Sequence, residues 1–304
     1  MDLEKLNTTL AKFQGVTLDR VGRSLRFRTM NVLARFEPVR QILSWGAGTP
    51  RSDVRSGTFP GFDTRGQYAT LKRDGIAVGI KLPDDLRDEI LAWANRTPVY
   101  GNICKEWGFH VGDRAAAEKK AGTRFTVGHY FNTSDCPAVR RLVEDPLIAE
   151  MARAYIGARA KYLSTHMWWS FANEVSEADR NSYAQQYHFD LDDYRFMKFF
   201  FYLTDVDLDS GPHTYMRGTH HAKKMKDLFP MRRFTDEEVH AQWGKEREVK
   251  VTAKAGEGFI VDTWGIHKGT PPRSRDRLVI ELEWGHRYYG FGNDEVPQHE
   301  LSLL

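Results

Sequence analysis

The chain has 304 residues, 41% hydrophobic and 28% charged, a composition typical of a globular protein with a sizeable core rather than of a disordered chain. The 44 Lys and Arg residues nearly balance the 41 Asp and Glu residues without a long basic tract, so nucleic acid is not an expected partner. Only two cysteines, no signal-peptide pattern and no apolar run of ~18 residues predict a cytoplasmic protein with neither a disulfide scaffold nor a membrane partner.

An accessory extension is predicted for residues 1–65. Short amphipathic stretches there are followed by a run rich in Gly, Ser, Pro and Thr, from Ser44 to Gly61. We expect this extension to pack against the rest of the chain without contributing chemistry. Residues 66–304 are predicted to form one domain, with a helical or irregular insertion at about residues 220–245.

Two helices are predicted in the first half of this domain. Pro83 and the two aspartates after it mark a helix start, and Leu86, Ile90 and Trp93 follow at helical spacing. A second helix is predicted from Ala138 to Ile156, because its apolar residues lie on one stripe.

The remainder of the domain is predicted to consist mainly of β-strands. The runs are of strand length, rich in aromatic and branched residues, and separated by Gly, Pro, Asp or Asn. They are Ile76–Ile80, Tyr162–Phe171, Tyr183–Asp190, Arg195–Thr204, Glu248–Ala253, Gly258–Thr263 and Arg277–Trp284. The fold class expected is therefore mainly β with flanking α-helices.

A candidate metal site lies within this β region. His188 and Asp190 are two residues apart in a strand-like run, so their side chains share one face. His267 follows another such run and completes a set of two imidazoles and one carboxylate, if the two runs face each other. This ligand set is that of non-haem Fe(II) oxygenases, which leave coordination positions open for cosubstrate and oxygen. It also suits zinc or manganese.

The residues around these three ligands resemble the phytanoyl-CoA dioxygenase family of Fe(II)- and 2-oxoglutarate-dependent oxygenases. The resemblance runs from about Tyr68 to Trp284 and keeps the order and spacing of the family's blocks. The matching blocks are Leu71–Gly75, His188–Asp190, Tyr202–Asp207, Ser210–His213, Met216–His220, His267 and the arginine that begins the next strand.

The resemblance implies a double-stranded β-helix, a cupin-like jelly-roll, with the metal at its open mouth. It implies Fe(II), 2-oxoglutarate and O2 as cofactors, with His188, Asp190 and His267 as the catalytic metal ligands. The expected reaction is hydroxylation of an unactivated C–H bond of a small-molecule metabolite, with release of succinate and CO2. Desaturation, epimerisation and ring formation stay open, as do the substrate and the oligomeric state.

By family position Arg277 is the first candidate to bind the far carboxylate of 2-oxoglutarate, because a guanidinium grips a carboxylate bidentately. Arg275 has the same strand parity and is the alternative. Lys198, surrounded by aromatic residues, is read either as a cosubstrate contact or as a lysine that extends to solvent. Thr270 and Trp264, both three residues from His267, are the further candidate contacts in the pocket.

Six other histidines are interpreted as packing or capping residues, or carry no recognisable spacing: His110, His129, His166, His213, His220 and His221. Two other kinds of function are also compatible with the pattern. One is a Zn(II) or Mn(II) hydrolase or isomerase on a cupin-like barrel, which would work without oxygen. The other is a binding protein that has kept the barrel and lost turnover.

Overall fold

A cavity between two antiparallel sheets lies at the centre of the computed structural model, which describes residues 18–173, 186–229, 231–289 and 294–304, with side chains from residue 25 onward. The larger sheet has the strand order β1-β9-β6-β11-β5-β4-β2-β3, and the smaller has the order β10-β7-β8. The strands are β1 (Ile76–Lys81), β2 (Val99–Gly101), β3 (Gly108–Phe109), β4 (Val127–Tyr130), β5 (Lys161–Ser170), β6 (Met197–Tyr202), β7 (His213–Met216), β8 (Glu248–Val251), β9 (Glu257–Val261), β10 (His267–Gly269) and β11 (Arg277–Gly285).

Helices cover the outer face of the larger sheet and flank both sheets. Those in the described residues are α1 (Leu18–Leu33), α2 (Glu37–Leu43), α3 (Thr64–Asp74), α4 (Asp84–Arg96), α5 (Arg114–Ala121), α6 (Pro137–Val143), α7 (Pro146–Ile156), α8 (Met225–Leu228) and α9 (Asp236–Trp243). Two antiparallel sheets with helices outside them confirm the predicted mainly β jelly-roll core. Over the described part of the chain, no helix combines the length and the apolar character needed to cross a membrane.

The strand β11 connects the hydrophobic core to the central cavity. All nine of its residues are buried, because β5 pairs with one of its edges and β6 with the other. Leu278, Ile280 and Leu282 face outwards into the core that the helices complete, and each such burial contributes about 1.5–3 kcal/mol. The alternate residues face the opposite way, so this buried strand presents its polar side chains to the interior between the sheets.

The predicted helix from Ala138 to Ile156 is wrong as a single element, because the chain forms α6 and α7 instead. The break falls at Pro146, which has no N–H for a helix interior and takes the first position of α7. Asp145 caps this new helix: its Oδ1 accepts from the Leu147 N–H at 2.9 Å, and its Oδ2 accepts from the Ser56 hydroxyl at 2.7 Å.

The predicted strand Tyr183–Asp190 is also corrected, as far as the structure describes it. Residues 183–185 lie outside the described residues. Beyond them, Tyr187 and His188 make isolated β-bridges, to Phe234 and His267, and Asp190 lies in irregular backbone. The other predicted strands are confirmed, with ends that differ by up to two residues.

Replacing Asp145 by alanine should lower the free energy of unfolding by about 1–2 kcal/mol, because both the helix cap and the bond to Ser56 are lost. Chemical denaturation measures this change. The variant Ser56→Ala is the control that removes only the second bond, so it should lose less. Equal losses in the two variants would show that the cap of α7 contributes nothing.

Candidate metal centre

His188 and His267 are brought together by their own backbones. The His188 N–H donates to the His267 carbonyl at 2.9 Å, and the His267 N–H donates to the His188 carbonyl at 2.8 Å. In such a reciprocal antiparallel pair the two side chains project from the same side of the ladder. The imidazole ring centroids are consequently 4.3 Å apart, although 79 positions separate the residues in the chain.

Asp190 completes the set from the same segment as His188. Its N–H donates to the Thr263 carbonyl at 2.9 Å, which ties the segment to the loop before His267. The carboxylate then lies 3.4 Å from Nε2 of His188 and 3.7 Å from Nε2 of His267. One ligand atom from each of the three residues lies within 4.8 Å of the others, so all three can reach one ion.

Both imidazoles are oriented as a metal requires. Nδ1 of His188 lies 2.9 Å from the Gln186 carbonyl, and Nδ1 of His267 lies 3.0 Å from the Gly265 carbonyl. Because a carbonyl only accepts, each Nδ1 carries a proton and donates it, so Nε2 is the ring atom that faces the centre. Burial lowers the pKa of His267 to about 3, which keeps its ring neutral at physiological pH.

The carboxylate of Asp190 is kept ionised by a buried ammonium group. Nζ of Lys198 lies 3.0 Å from Asp190, 3.0 Å from Asp192 and 3.3 Å from Glu281. Burial alone raises the pKa of Asp190, but the charge of Lys198 opposes this effect, and the pKa stays well below the usual value. Lys198 is only 7% exposed, so the interpretation of this residue as a lysine that extends to solvent is wrong.

The three residues lie at one side of a cavity of about 250 Å³ with mixed walls. Its apolar walls come from Val127, Trp168, Phe200, Phe259 and Val279. Arg277 lines the same cavity and is 5% exposed; its guanidinium donates to the Ser170 hydroxyl at 3.0 Å and to the Gly211 carbonyl. Its Nε has no hydrogen-bond partner among the described residues.

A sequence model of the family described as phytanoyl-CoA dioxygenase matches residues 88–278, which is more than half of the 304 residues. The chain belongs to this family. Members of the family are dioxygenases that use Fe(II), 2-oxoglutarate and O2, and these are the cofactors expected from the sequence. A comparison with curated proteins finds no match.

The phytanoyl-CoA dioxygenase fold of this chain is also similar to several solved structures. The 2-oxoglutarate-dependent epimerase SnoN from nogalamycin biosynthesis is 15% identical, with a TM-score of 0.48 over 77% of this chain and 90% of SnoN. HygX from Streptomyces hygroscopicus, with nickel and 2-oxoglutarate bound, is 15% identical, with a TM-score of 0.49 over 76% of this chain and 89% of HygX. The carbocyclase SnoK from nogalamycin biosynthesis is 14% identical, with a TM-score of 0.48 over 79% of this chain and 87% of SnoK.

Of the two arginines predicted to bind the family's cosubstrate, only Arg277 reaches the cavity. The side chain of Arg275 is 58% exposed and pairs with Asp207 at the surface. Thr270 is also outside the cavity lining, because its hydroxyl makes a 2.9 Å hydrogen bond with the Thr214 hydroxyl.

Trp264 lies in the loop before His267 and does not line the cavity, which corrects the prediction that it contacts the pocket. A turn closed by the hydrogen bond from the Gly265 N–H to the Asp262 carbonyl, at 3.0 Å, directs its indole away from the cavity. The indole is flanked by two cations instead: the Arg40 guanidinium lies 4.4 Å from the ring centroid and the Lys223 ammonium 4.2 Å. The charge of Arg40 also opposes the effect of burial on Asp262 and helps to lower the pKa of this carboxyl group.

His213 is the cavity residue that the sequence interpretation missed. It was expected to be a packing histidine, yet it lines the cavity, and its ring lies 5.4 Å from that of His267. Burial holds its pKa well below the ordinary value, so the ring is neutral, and its Nε2 has no hydrogen-bond partner in the described part of the chain. His213 is at the start of β7, directly opposite Gly269 in β10, and this pairing places its ring at the cavity.

Replacing Lys198 by methionine should lower the free energy of unfolding by about 3–5 kcal/mol, because the buried Glu281 and the partly buried Asp190 and Asp192 lose their shared partner. Lys254→Met is the matched control. Its ammonium pairs with Asp205 at 2.8 Å but is 78% exposed, so its loss should cost no more than about 1 kcal/mol. Similar losses in the two variants, measured by chemical denaturation, would show that the Lys198 cluster is not a strong internal ion pair.

Proposed function

We propose that this chain is an Fe(II)- and 2-oxoglutarate-dependent dioxygenase that hydroxylates an unactivated C–H bond of a small metabolite. The observation that carries the proposal is the orientation of His188 and His267, whose Nδ1 atoms are committed to backbone carbonyls while their Nε2 atoms converge with Asp190. Two nitrogen donors and one carboxylate oxygen on one side of an ion suit Fe(II) and leave the opposite positions open.

The residues present fit the cofactor set. His188, Asp190 and His267 would hold the iron, and Arg277 would bind the far carboxylate of 2-oxoglutarate within the same cavity. When bound, the iron and 2-oxoglutarate would supply the oxidative decarboxylation of 2-oxoglutarate and the removal of hydrogen from the substrate. The membership of the family supports this chemistry.

The contribution of the protein is to hold these charges in a dry, fixed arrangement. Arg277 is buried and anchored by Ser170 and Gly211, so its guanidinium is oriented before a carboxylate binds. Lys198 keeps Asp190 ionised without being a metal ligand itself. Phe200 and Phe259, stacked with ring centroids 5.0 Å apart, form an apolar wall that limits the access of water.

His188→Ala and Asp190→Ala should each abolish formation of succinate from 2-oxoglutarate, because either change removes one of the three ligands. Both variants should remain folded, as measured by circular dichroism. Oxygen uptake and succinate release by the parent protein, in equal amounts, are the positive control. Substrate turnover by the parent in the absence of oxygen would contradict the proposal and favour a Zn(II) or Mn(II) hydrolase or isomerase.

Arg277→Ala should raise the concentration of 2-oxoglutarate needed for half-maximal rate by roughly 10- to 100-fold, because a charge-assisted hydrogen-bonded contact is lost. Arg275→Ala is the matched control two residues away on the surface, and it should leave that concentration unchanged. A titration of the initial rate with 2-oxoglutarate measures both variants. An effect of Arg275→Ala without an effect of Arg277→Ala would reverse the assignment.

A further inference from the structure

A second cavity, of about 350 Å³, adjoins the metal centre and has no role in the steps above. It shares Lys198 and Glu281 with the first cavity, so the two cavities adjoin at these side chains. The polar part of its lining consists of Ser164, His166, Asp192, Glu281 and Glu283, together with Lys198, and Arg287 is the other cation at its edge.

The strand β11 delivers two carboxylates to this second cavity. Glu281 and Glu283 are two residues apart and therefore project on the same side of the strand as Arg277. Their neighbours on β5 in the pairing register are His166 and Ser164 respectively. One oxygen of each glutamate and one ring nitrogen of His166 lie within 4.8 Å of each other, a close approach for two buried carboxylates.

Carboxyl groups outnumber cations around this cavity in the described residues. At the metal centre, the charges of Fe(II) and Arg277 would offset those of Asp190 and 2-oxoglutarate. Lys198 then remains as the one buried ammonium near three carboxylates, those of Asp192, Glu281 and Glu283.

Two further cations near the second cavity do not remove this excess. His166 is hydrogen-bonded to Asp294, whose carboxylate also lies 2.7 Å from Nε2 of His129. Arg287 is an exposed residue, so water screens its charge, and water also screens that of Asp192, whose side chain is 40% exposed. In the described structure Glu281 and Glu283 therefore remain as two buried carboxyl groups beside the ammonium of Lys198.

The carboxyl group of Glu283 shows most directly that this cavity has too few cations for its acidic groups. The residue is 8% exposed, and its Oε1 has no hydrogen-bond partner in the described residues, while its Oε2 lies 3.4 Å from the Ser164 hydroxyl. A buried carboxylate without a partner is energetically costly. Burial, together with the charges of Asp192 and Glu281, raises the pKa of Glu283 to about 8 despite the opposing effect of Lys198.

We propose that the substrate carries a protonated amine, which binds in the second cavity against Glu283, Asp192 and Glu281 while its reactive C–H bond lies beside the metal ligands. This inference rests on the proposed function and specifies its substrate class. An ammonium group has three N–H donors, so it satisfies the unpartnered oxygen of Glu283 and the neighbouring carboxylates together. Tyr289, which lines the same cavity, adds an aromatic wall next to the bound cation.

The test compares hexylamine with hexan-1-ol, which has the same chain length but no charge. The protein is loaded with Fe(II) and 2-oxoglutarate under argon, and binding is measured by calorimetry and by the shift in melting temperature. We expect hexylamine to bind and to raise the melting temperature, and hexan-1-ol to do neither. In Glu283→Gln, hexylamine binding should weaken by about 10- to 100-fold. Glu257→Gln, a matched change on β9 outside both cavities, should bind hexylamine like the parent.

Each remaining outcome has a separate meaning. Equal binding of hexylamine and hexan-1-ol to the parent overturns the inference, and this comparison does not require any variant to fold. If the parent shows no metal-to-ligand charge-transfer band with Fe(II) and 2-oxoglutarate, it is the proposed function that fails. A Zn(II) titration that gives two tightly bound ions per chain in the parent and one in Glu283→Gln also overturns the inference, because the carboxylates would then form a second metal site.

Discussion

The two backbone hydrogen bonds between His188 and His267 are the constraint on which the site depends. They join a segment of otherwise irregular backbone to the start of β10, and they set the two imidazoles side by side. The Nδ1 contacts to the residues two positions earlier then fix the rotation of each ring. The two imidazoles are pre-organised, since their relative position follows from the pairing register of the main chain.

The second organising element is the alternation of β11. Its outward residues, among them Leu278 and Ile280, hold the sheet against the helices, and its inward residues form a row of functional groups. Arg277 lies at one end of that row and Glu283 at the other, about 20 Å apart at ~3.3 Å per residue. One face of β11 thereby stabilises the fold through hydrophobic packing, while its other face carries charged side chains, from Arg277 to Glu283, past the candidate metal ligands.

Much of this arrangement can be predicted from the sequence, because it depends on local patterns. The approach of His188, Asp190 and His267 to one another, the position of Arg277 at the cavity and most strands follow from period-two spacing and from the resemblance to the family. The environment of Lys198 does not: Asp190 and Asp192 precede it in one segment, but Glu281 comes from β11, and only tertiary packing brings the three carboxylates to one ammonium. The missing N–H of Pro146 indicates the break between α6 and α7, although the apolar stripe continues across it.

Arg40, in the first part of the chain, packs against the loop that precedes His267. Arg40 belongs to α2, is 1% exposed, and lies over Trp264, three positions before His267. Its guanidinium also supplies part of the positive charge that Asp262 needs in the interior. A truncated protein that begins at residue 66 would therefore keep His188, Asp190 and His267, but the loop that precedes His267 would lose the packing of Arg40 against Trp264.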